Sequence, residues 1–387
     1  MSARRVRGLW CAAAALACAP WGLQAQSLYQ HKLEASVGTE YDTNPGLAAP
    51  ALGSVSRLRV APRYTLLRRD GPAELRLKLG ATLEQSSDEQ LSRHRRDGDG
   101  QIEWQREFDT TMLVLRAAYQ KASLRDVLLK ETGQVSVDGS RTVRTLGATL
   151  LHQINPLYTA TGGLEVNWNQ FSSNARTPDS RLVAANGEIS RALALGQTVF
   201  VAGHLSRFAP DAWPATGTTP PPAQHNSQLY SMDVGYRSQI TDSPWQWQAR
   251  VGVARYTGPF SDTTAQGDVS LGYQGERWSA SLALAHRPVA DTLRGAFSRN
   301  DQARAALEYQ LTEFTRLGVD ASVNRTRSTQ TDRSTAFGLR LSSELSPLWR
   351  ATLALRRTQV DRATSLLATQ ASGTSVNLFL TYSHPDF

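Results

Sequence analysis

From Ala73 to Glu84 the chain alternates strictly between apolar and polar positions. Ala73, Leu75, Leu77, Leu79, Ala81 and Leu83 hold one parity, and Glu74, Arg76, Lys78, Gly80, Thr82 and Glu84 the other. A helix would spread Leu75, Leu77 and Leu79 around more than half of its circumference, whereas a strand places them on one face. Such a run exceeds the common soluble strand of about 5–6 residues. The same period returns in Leu33, Ala35, Val37 and Tyr41, in Leu58, Val60, Tyr64 and Leu66, and in Tyr158, Ala160, Leu164, Val166 and Trp168. It continues through Tyr230 to Tyr236, Trp245 to Val253, Leu317 to Val323, Phe337 to Leu341, Trp349 to Leu355 and Val376 to Tyr382. No helical period of similar length occurs, so the pattern predicts an all-β chain.

The connections narrow the architecture. After the first strand, long and tight segments alternate: Asp42 to Ser54 is long, Arg69-Asp70-Gly71 tight, Gln85 to Gly100 long, Asp109-Thr110 tight, Lys121 to Ser140 long and Asn155-Pro156 tight. The order runs on through long segments at Ser172 to Ser180, Ala209 to Asn226, Gly258 to Thr264, Pro288 to Arg299, Thr326 to Thr331 and Asp361 to Gly373. Tight turns at Leu195-Gly196-Gln197, Thr241 to Pro244, Gly275-Glu276, Thr312-Glu313 and Ser346-Pro347 separate them. About 18 strands result, an even number joined by alternating loop lengths, which predicts a single antiparallel up-and-down transmembrane β-barrel with its long loops outside the cell. Aromatic residues beside the tight turns (Phe108, Trp245, Trp247, Trp278, Phe314, Trp349) suit an interfacial girdle. A β-sandwich would have shorter strands and would close within about 100–200 residues, and no repeat of solenoid length is present.

Composition now takes its place. The 387 residues are 40% hydrophobic with a mean hydropathy of -0.38; this excludes a bundle of membrane helices but not strands that face lipid on one side and water on the other. Arg4, Arg5 and Arg7, the apolar stretch Leu9 to Ala19 and the small-residue site ending at Ala25 read as a secretory signal peptide over residues 1–25, leaving a barrel over 26–387. The alternative for this segment is lipidation at Cys18, for which Ala15 is a small residue where a larger aliphatic one is usual. Cys11 and Cys18 both fall in the leader, so the mature chain has no thiol. Removing the three arginines lowers the formal charge from +8 to +5, with basic residues scattered rather than massed, and nucleic acid is not an expected partner.

Glu40-Tyr41-Asp42-Thr43-Asn44-Pro45, which ends the first strand, resembles the tyrosine, aspartate, small residue, asparagine element of an outer-membrane β-barrel porin family associated with exopolysaccharide export. The resemblance implies movement of polysaccharide or other polar solute across the outer membrane; read by itself, the segment is an Asp/Asn/Pro turn. A terminal aromatic, Phe387, resembles the signal read by the barrel-assembly machinery, although it is out of phase with Val376 to Tyr382.

With the apolar parity in lipid, the charged parity lines a wet lumen. Closure sets the first strands beside the last, so Lys32, Arg57, Arg59, Arg63, Arg76, Lys78, Arg340, Arg350 and Arg356 share a wall. Two readings follow: a basic ladder that favours anionic solutes or acidic polysaccharide, or charges that pair across strands with Glu34, Glu40, Glu74, Glu84 and Glu344. The seven histidines have no metal-ligand spacing and no nucleophile-elbow or phosphate-loop motif occurs, so neither enzyme, metal nor cofactor is expected, short of a Ser-His-acid site assembled from distant strands. Ser92 to Gly100 reads as a solvated turn, with a faint calcium-loop character, whose Arg93, Arg95 and Arg96 could meet lipopolysaccharide phosphate. The proline-rich Ala209 to Asn226 segment reads as a flap or a constriction. General diffusion, a rim enzyme and an adhesive barrel are the competing functions.

Overall fold

The computed structural model describes residues 28–124, 139–172, 177–211, 226–241, 243–258, 261–292, 295–327, 331–363 and 368–385. Residues 1–25, read above as a leader, the prolines of the 212–225 stretch and Phe387 lie outside them. The described residues form eighteen strands: β1 (Leu28–Asp42), β2 (Val55–Asp70), β3 (Ala73–Ser86), β4 (Arg95–Glu107), β5 (Thr111–Ser123), β6 (Ser140–Asn155), β7 (Tyr158–Phe171), β8 (Ser180–Ala194) and β9 (Gln197–Pro210), then β10 (Ser227–Gln239), β11 (Trp245–Thr257), β12 (Asp262–Gln274), β13 (Trp278–Asp291), β14 (Ala296–Gln310), β15 (Thr315–Arg327), β16 (Thr331–Ser346), β17 (Trp349–Ala363) and β18 (Ala368–Pro385). Each pairs antiparallel with its sequence neighbours, and β1 also pairs with β18 from Lys32↔Pro385 to Asp42↔Ser375. The sheet is closed, so neither terminal strand presents an open edge over the paired residues.

Local chemistry sets the turns at one end. The Asn155 carboxamide oxygen accepts from the amides of Leu157 and Tyr158 at 2.9 and 3.0 Å, and Thr312 Oγ1 accepts from Thr315 N at 3.0 Å. Gly196 turns with φ +72°, and a Cβ there would lie 2.4 Å from the Gln239 carbonyl oxygen, so only glycine fits. Long connections cluster at the other end, the one that faces outside in outer-membrane barrels, and fall between β1 and β10. In the four later segments read as long, Gly258 to Thr264, Pro288 to Arg299, Thr326 to Thr331 and Asp361 to Gly373, the described residues are mostly strand, belonging to β12 to β18. Likewise Arg95 to Gly100 belongs to β4, not to a turn, because Arg95 and Asp97 continue the ladder opposite Glu84 and Thr82. Proline and glycine inside those runs suggested loops, and the continuing register outweighs them.

There is no ordinary core. Leu58, Leu79, Leu307, Leu339, Leu355 and Leu378 all stand exposed on the outer face, as a lipid-facing surface requires. Near the turn end the aromatic side chains pair up: Tyr236 with Trp247 and Trp245 with Tyr273, both at 4.7 Å between ring centroids, Tyr273 with Trp278 at 4.0 Å and Trp349 with Tyr382 at 5.1 Å. Rings at that level are half apolar and half able to hydrogen-bond, which matches a headgroup layer. No helix among the described residues is long and apolar enough to cross a membrane.

One wall departs from a plain cylinder. Pairing between β12 and β13 stops at Gly267↔His286, so the outer ends of both strands are free of each other. Beyond that point the β13–β14 hairpin turns inward. Its outer-parity residues Ala290 and Phe297 pack on the inward residues Leu182, Phe208, Leu229, Ala254 and Tyr256 of β8 to β11. Phe208 and Phe297 meet edge-on at 6.4 Å between centroids, and Arg299 of β14 bonds Asp262 of β12. The hairpin tip therefore lies across the extracellular end of the lumen.

Candidate functional site

Every residue of the expected ladder faces the lumen, because each shares parity with the inward row of its register. They do not act as one positive strip. Arg57, 1% exposed, donates from Nη1 to Glu40 at 2.7 Å and to Asp42 at 3.5 Å, and from Nε to Ser92 Oγ at 3.0 Å. Arg59 bridges Glu40 at 3.2 Å and Glu84 at 2.6 Å. Arg95, which turns into the lumen rather than toward lipopolysaccharide, donates to Glu84 at 2.9 Å. This network of Arg57, Arg59 and Arg95 against Glu40, Asp42, Glu84 and Asp97 is slightly acidic in sum.

Lower in the barrel Lys32 meets Glu34 at 2.9 Å, Arg76 meets Glu74 at 2.8 Å, Arg340 meets Glu308 at 3.0 Å, Arg350 meets Glu344 at 3.3 Å and Arg356 meets Asp320 at 4.0 Å. Among the described residues only Arg63 and Lys78 of the nine have no carboxylate within 4 Å, and both are exposed to the lumen. They sit on adjacent strands, Arg63 opposite Gly80 and Lys78 opposite Thr65. The acids in the row of Arg63 are Glu34, opposite it on β1 and paired with Lys32, and Asp99, folded over Gly80.

The family-like motif has a local job in this geometry. Glu40 and Asp42 hold Arg57, Tyr41 points outward, and Asn44 ties the 43–54 loop to the last hairpin. Asn44 Nδ2 donates to the carbonyls of Ala48 and Ser372 at 2.9 and 3.0 Å, while its Oδ1 accepts from Ala48 N at 3.1 Å. Pro45 follows at the loop's first bend. Loop 43–54 and, through Ser92, the 87–94 loop are thereby fastened to the inner wall.

The lumen is unequal along its axis. Inward residues of the extracellular half, among them Arg57, Phe208, Ser227, Ala254, Asn300, Thr326 and Val360, are buried. Inward residues of the other half, such as Lys32, Lys78, Arg116, Arg340 and Arg350, are exposed. A wet vestibule thus opens toward the turn end and narrows toward the outside, where the β13–β14 hairpin packs. Sequence reasoning missed that constriction; the available sign was that Arg299 and Asp301 share the outer parity of Leu307, where lipid contact would be costly.

The structure also sets Ser231 opposite His204 on the inner wall, with Asp233 two residues on. No hydrogen bond joins the three among the described residues, and Asp233 accepts instead from Gln266 Nε2 at 2.6 Å, so no activated nucleophile is built there. Among the described residues no group of three or more His, Cys, Asp or Glu is placed to hold a metal.

Fold and lumen together define an 18-stranded barrel of the outer-membrane type. Known structures share it: OccAB3 of Acinetobacter baumannii (TM-score 0.50, 9% identity, covering 94% of this chain and 100% of that one) and OccAB4 of the same organism (0.50, 9%, 93% and 99%). The FrpB iron transporter of Neisseria meningitidis is also similar (0.50, 8%, 94% and 82%). At such identities the likeness is one of fold. No protein-family model matches the sequence, and no curated protein does.

Proposed function

We propose that the chain is an outer-membrane channel for polar solutes. The observation that carries this is the opposed chemistry of the two faces: an apolar, exposed outer wall around an inner wall of charges, amides and hydroxyls. Eighteen strands enclose a lumen wide enough for water, and similarity in fold to a transporter and to Occ barrels supports the reading. The packed extracellular half favours a gated or selective route over general diffusion, since an open pore would leave inward residues of both halves wet. Cargo follows from the sequence resemblance: an exopolysaccharide leaving the cell, with lipopolysaccharide surrounding the outer rim and the assembly machinery engaged through Phe387. Arg63 and Lys78 would give the path a mild preference for anionic groups, with the rest of the ladder neutralised by its partners.

Liposome swelling tests the channel. Vesicles carrying the folded protein should admit small polar solutes, and a Phe297→Ala variant should admit larger ones. Folded protein that admits none, wild type or variant, contradicts the proposal. Deletion of the gene separates the cargoes: export predicts loss of surface polysaccharide with retention in the periplasm, and unaltered surface polysaccharide leaves the diffusion reading in its place.

A further inference from the structure

Where β12 and β13 part, the outer wall is indented. The groove has a volume of about 830 Å³ and is lined low down by Val251, Val269, Leu284, Ala303 and Val323, and higher up by polar residues that include Arg325 and Arg333. It opens where β12 and β13 cease to pair beyond Gly267↔His286 and the β13–β14 hairpin packs inward through Ala290 and Phe297.

Arg325 and Arg333 are the chemical feature of this groove. They lie directly opposite each other on β15 and β16, both exposed on the outer face. Like charges at such a cross-strand position, with Cβ atoms about 5 Å apart, repel. Neither has an ion pair or hydrogen bond among the described residues. Asp301, beside Arg325, is committed to His286 and, at 3.0 Å, to Arg327. Asp361, beside Arg333, accepts from Gln359 Nε2 at 3.3 Å. The outer row therefore reads Asp301, Arg325, Arg333, Asp361, with the two guanidinium groups adjacent at its centre and each flanking carboxylate already accepting from another side chain, and such a pair of donors is suited to a phosphate, which accepts from both.

Their height decides the source of that phosphate. Each arginine stands two residues from the extracellular tip of its strand, about 7 Å from it at about 3.3 Å per residue. Val323 lies two residues further into the membrane, and Leu284 and Val269 continue the apolar floor. Phosphate above and acyl chain below is the layout of a lipid in the outer leaflet. We infer that this groove binds the phosphorylated glucosamine headgroup of lipid A, with Arg325 and Arg333 on the phosphate and one acyl chain along Val251, Val269 and Val323. The inference rests on the outer-membrane placement proposed above. Lipid held there would brace the inward-bent hairpin from outside.

The test is native mass spectrometry of the detergent-purified protein titrated with bisphosphoryl lipid A, with dephosphorylated lipid A and inorganic phosphate as separate probes. Bisphosphoryl lipid A should bind, and the other two should not at the same concentrations. Arg325→Ser with Arg333→Ser should weaken binding by about tenfold or more, as loss of charge-assisted bonds to phosphate requires, while Arg63→Ser leaves it unchanged. Heat-modifiable migration checks that each variant is folded. Equal binding by the double variant, or equal binding of the dephosphorylated lipid, overturns the inference; the latter would make the groove an acyl slot or a lateral path from the lumen. Conductance measured on the same preparation separates the two proposals: a conducting barrel without lipid A binding refutes only the groove, and a non-conducting barrel that binds it refutes only the channel.

Discussion

Replacing Arg57 by Met probes the account most sharply inside the barrel. The side chain is fully enclosed and reaches Glu40 at 2.7 Å, Asp42 at 3.5 Å, Glu84 at 3.7 Å and Ser92 Oγ at 3.0 Å. Breaking a buried ion pair by removing one partner costs about 3–5 kcal/mol, because the remaining charges stay desolvated. Here Glu84 keeps Arg59 at 2.6 Å and Arg95 at 2.9 Å, and Glu40 keeps Arg59 at 3.2 Å. Those contacts offset part of the loss, leaving about 2–4 kcal/mol. The matched comparison is Arg350→Met, whose partner Glu344 lies 3.3 Å away with both side chains exposed; exposed pairs contribute about 0–1 kcal/mol. Urea unfolding of the protein in lipid vesicles, followed by tryptophan fluorescence, measures both. The Arg57 variant should lose several times more stability than the Arg350 variant, and a Glu40→Gln, Arg57→Met cycle should show coupling above about 1 kcal/mol. Equal losses would refute the claim that the extracellular network, rather than lumenal charge in general, holds this wall.

Other outcomes follow from the same geometry. Leu339→Arg places a charge on the lipid face and should cost about 2–4 kcal/mol in vesicle unfolding, while Thr352→Arg, on the inner wall, should cost far less. Phe297→Ala removes the ring that meets Phe208 and should raise single-channel conductance severalfold in a barrel whose migration shift is intact; unchanged conductance would show that the hairpin is not the constriction. Asn44→Ala deletes three hydrogen bonds and should speed proteolytic cleavage in the 43–54 loop by about tenfold or more, at about 1 kcal/mol of lost local stability per bond.

Much of this architecture was legible because a barrel writes its two environments into alternate residues. The strand number, the parity of all nine ladder residues and the aromatic belt at Trp245, Trp247, Trp278 and Trp349 follow from period and turn position alone. Register is what the alternation leaves open. Arg57 and Glu84 belong to strands separated by a tight turn, and their meeting depends on how far that hairpin extends, so the sequence is compatible with a ladder and with ion pairs, and the register decides for the pairs. The inward hairpin was hidden for a different reason. Pro288, Gly295 and the charges of Arg299 and Asp301 look like a loop to any rule that assumes a cylinder, whereas here outer-parity charges are tolerated because that face has left the lipid. The 40–45 motif gained a physical meaning only when Arg57 and Ser372, distant in sequence, were placed beside it.

The most direct test of the central claim is single-channel recording in a planar bilayer under a salt gradient. The account predicts discrete conductance with a reversal potential displaced modestly toward the anion, and loss of that displacement in Arg63→Ser, Lys78→Ser protein. A folded barrel that never conducts, or one that prefers cations and is indifferent to Arg63 and Lys78, would contradict it.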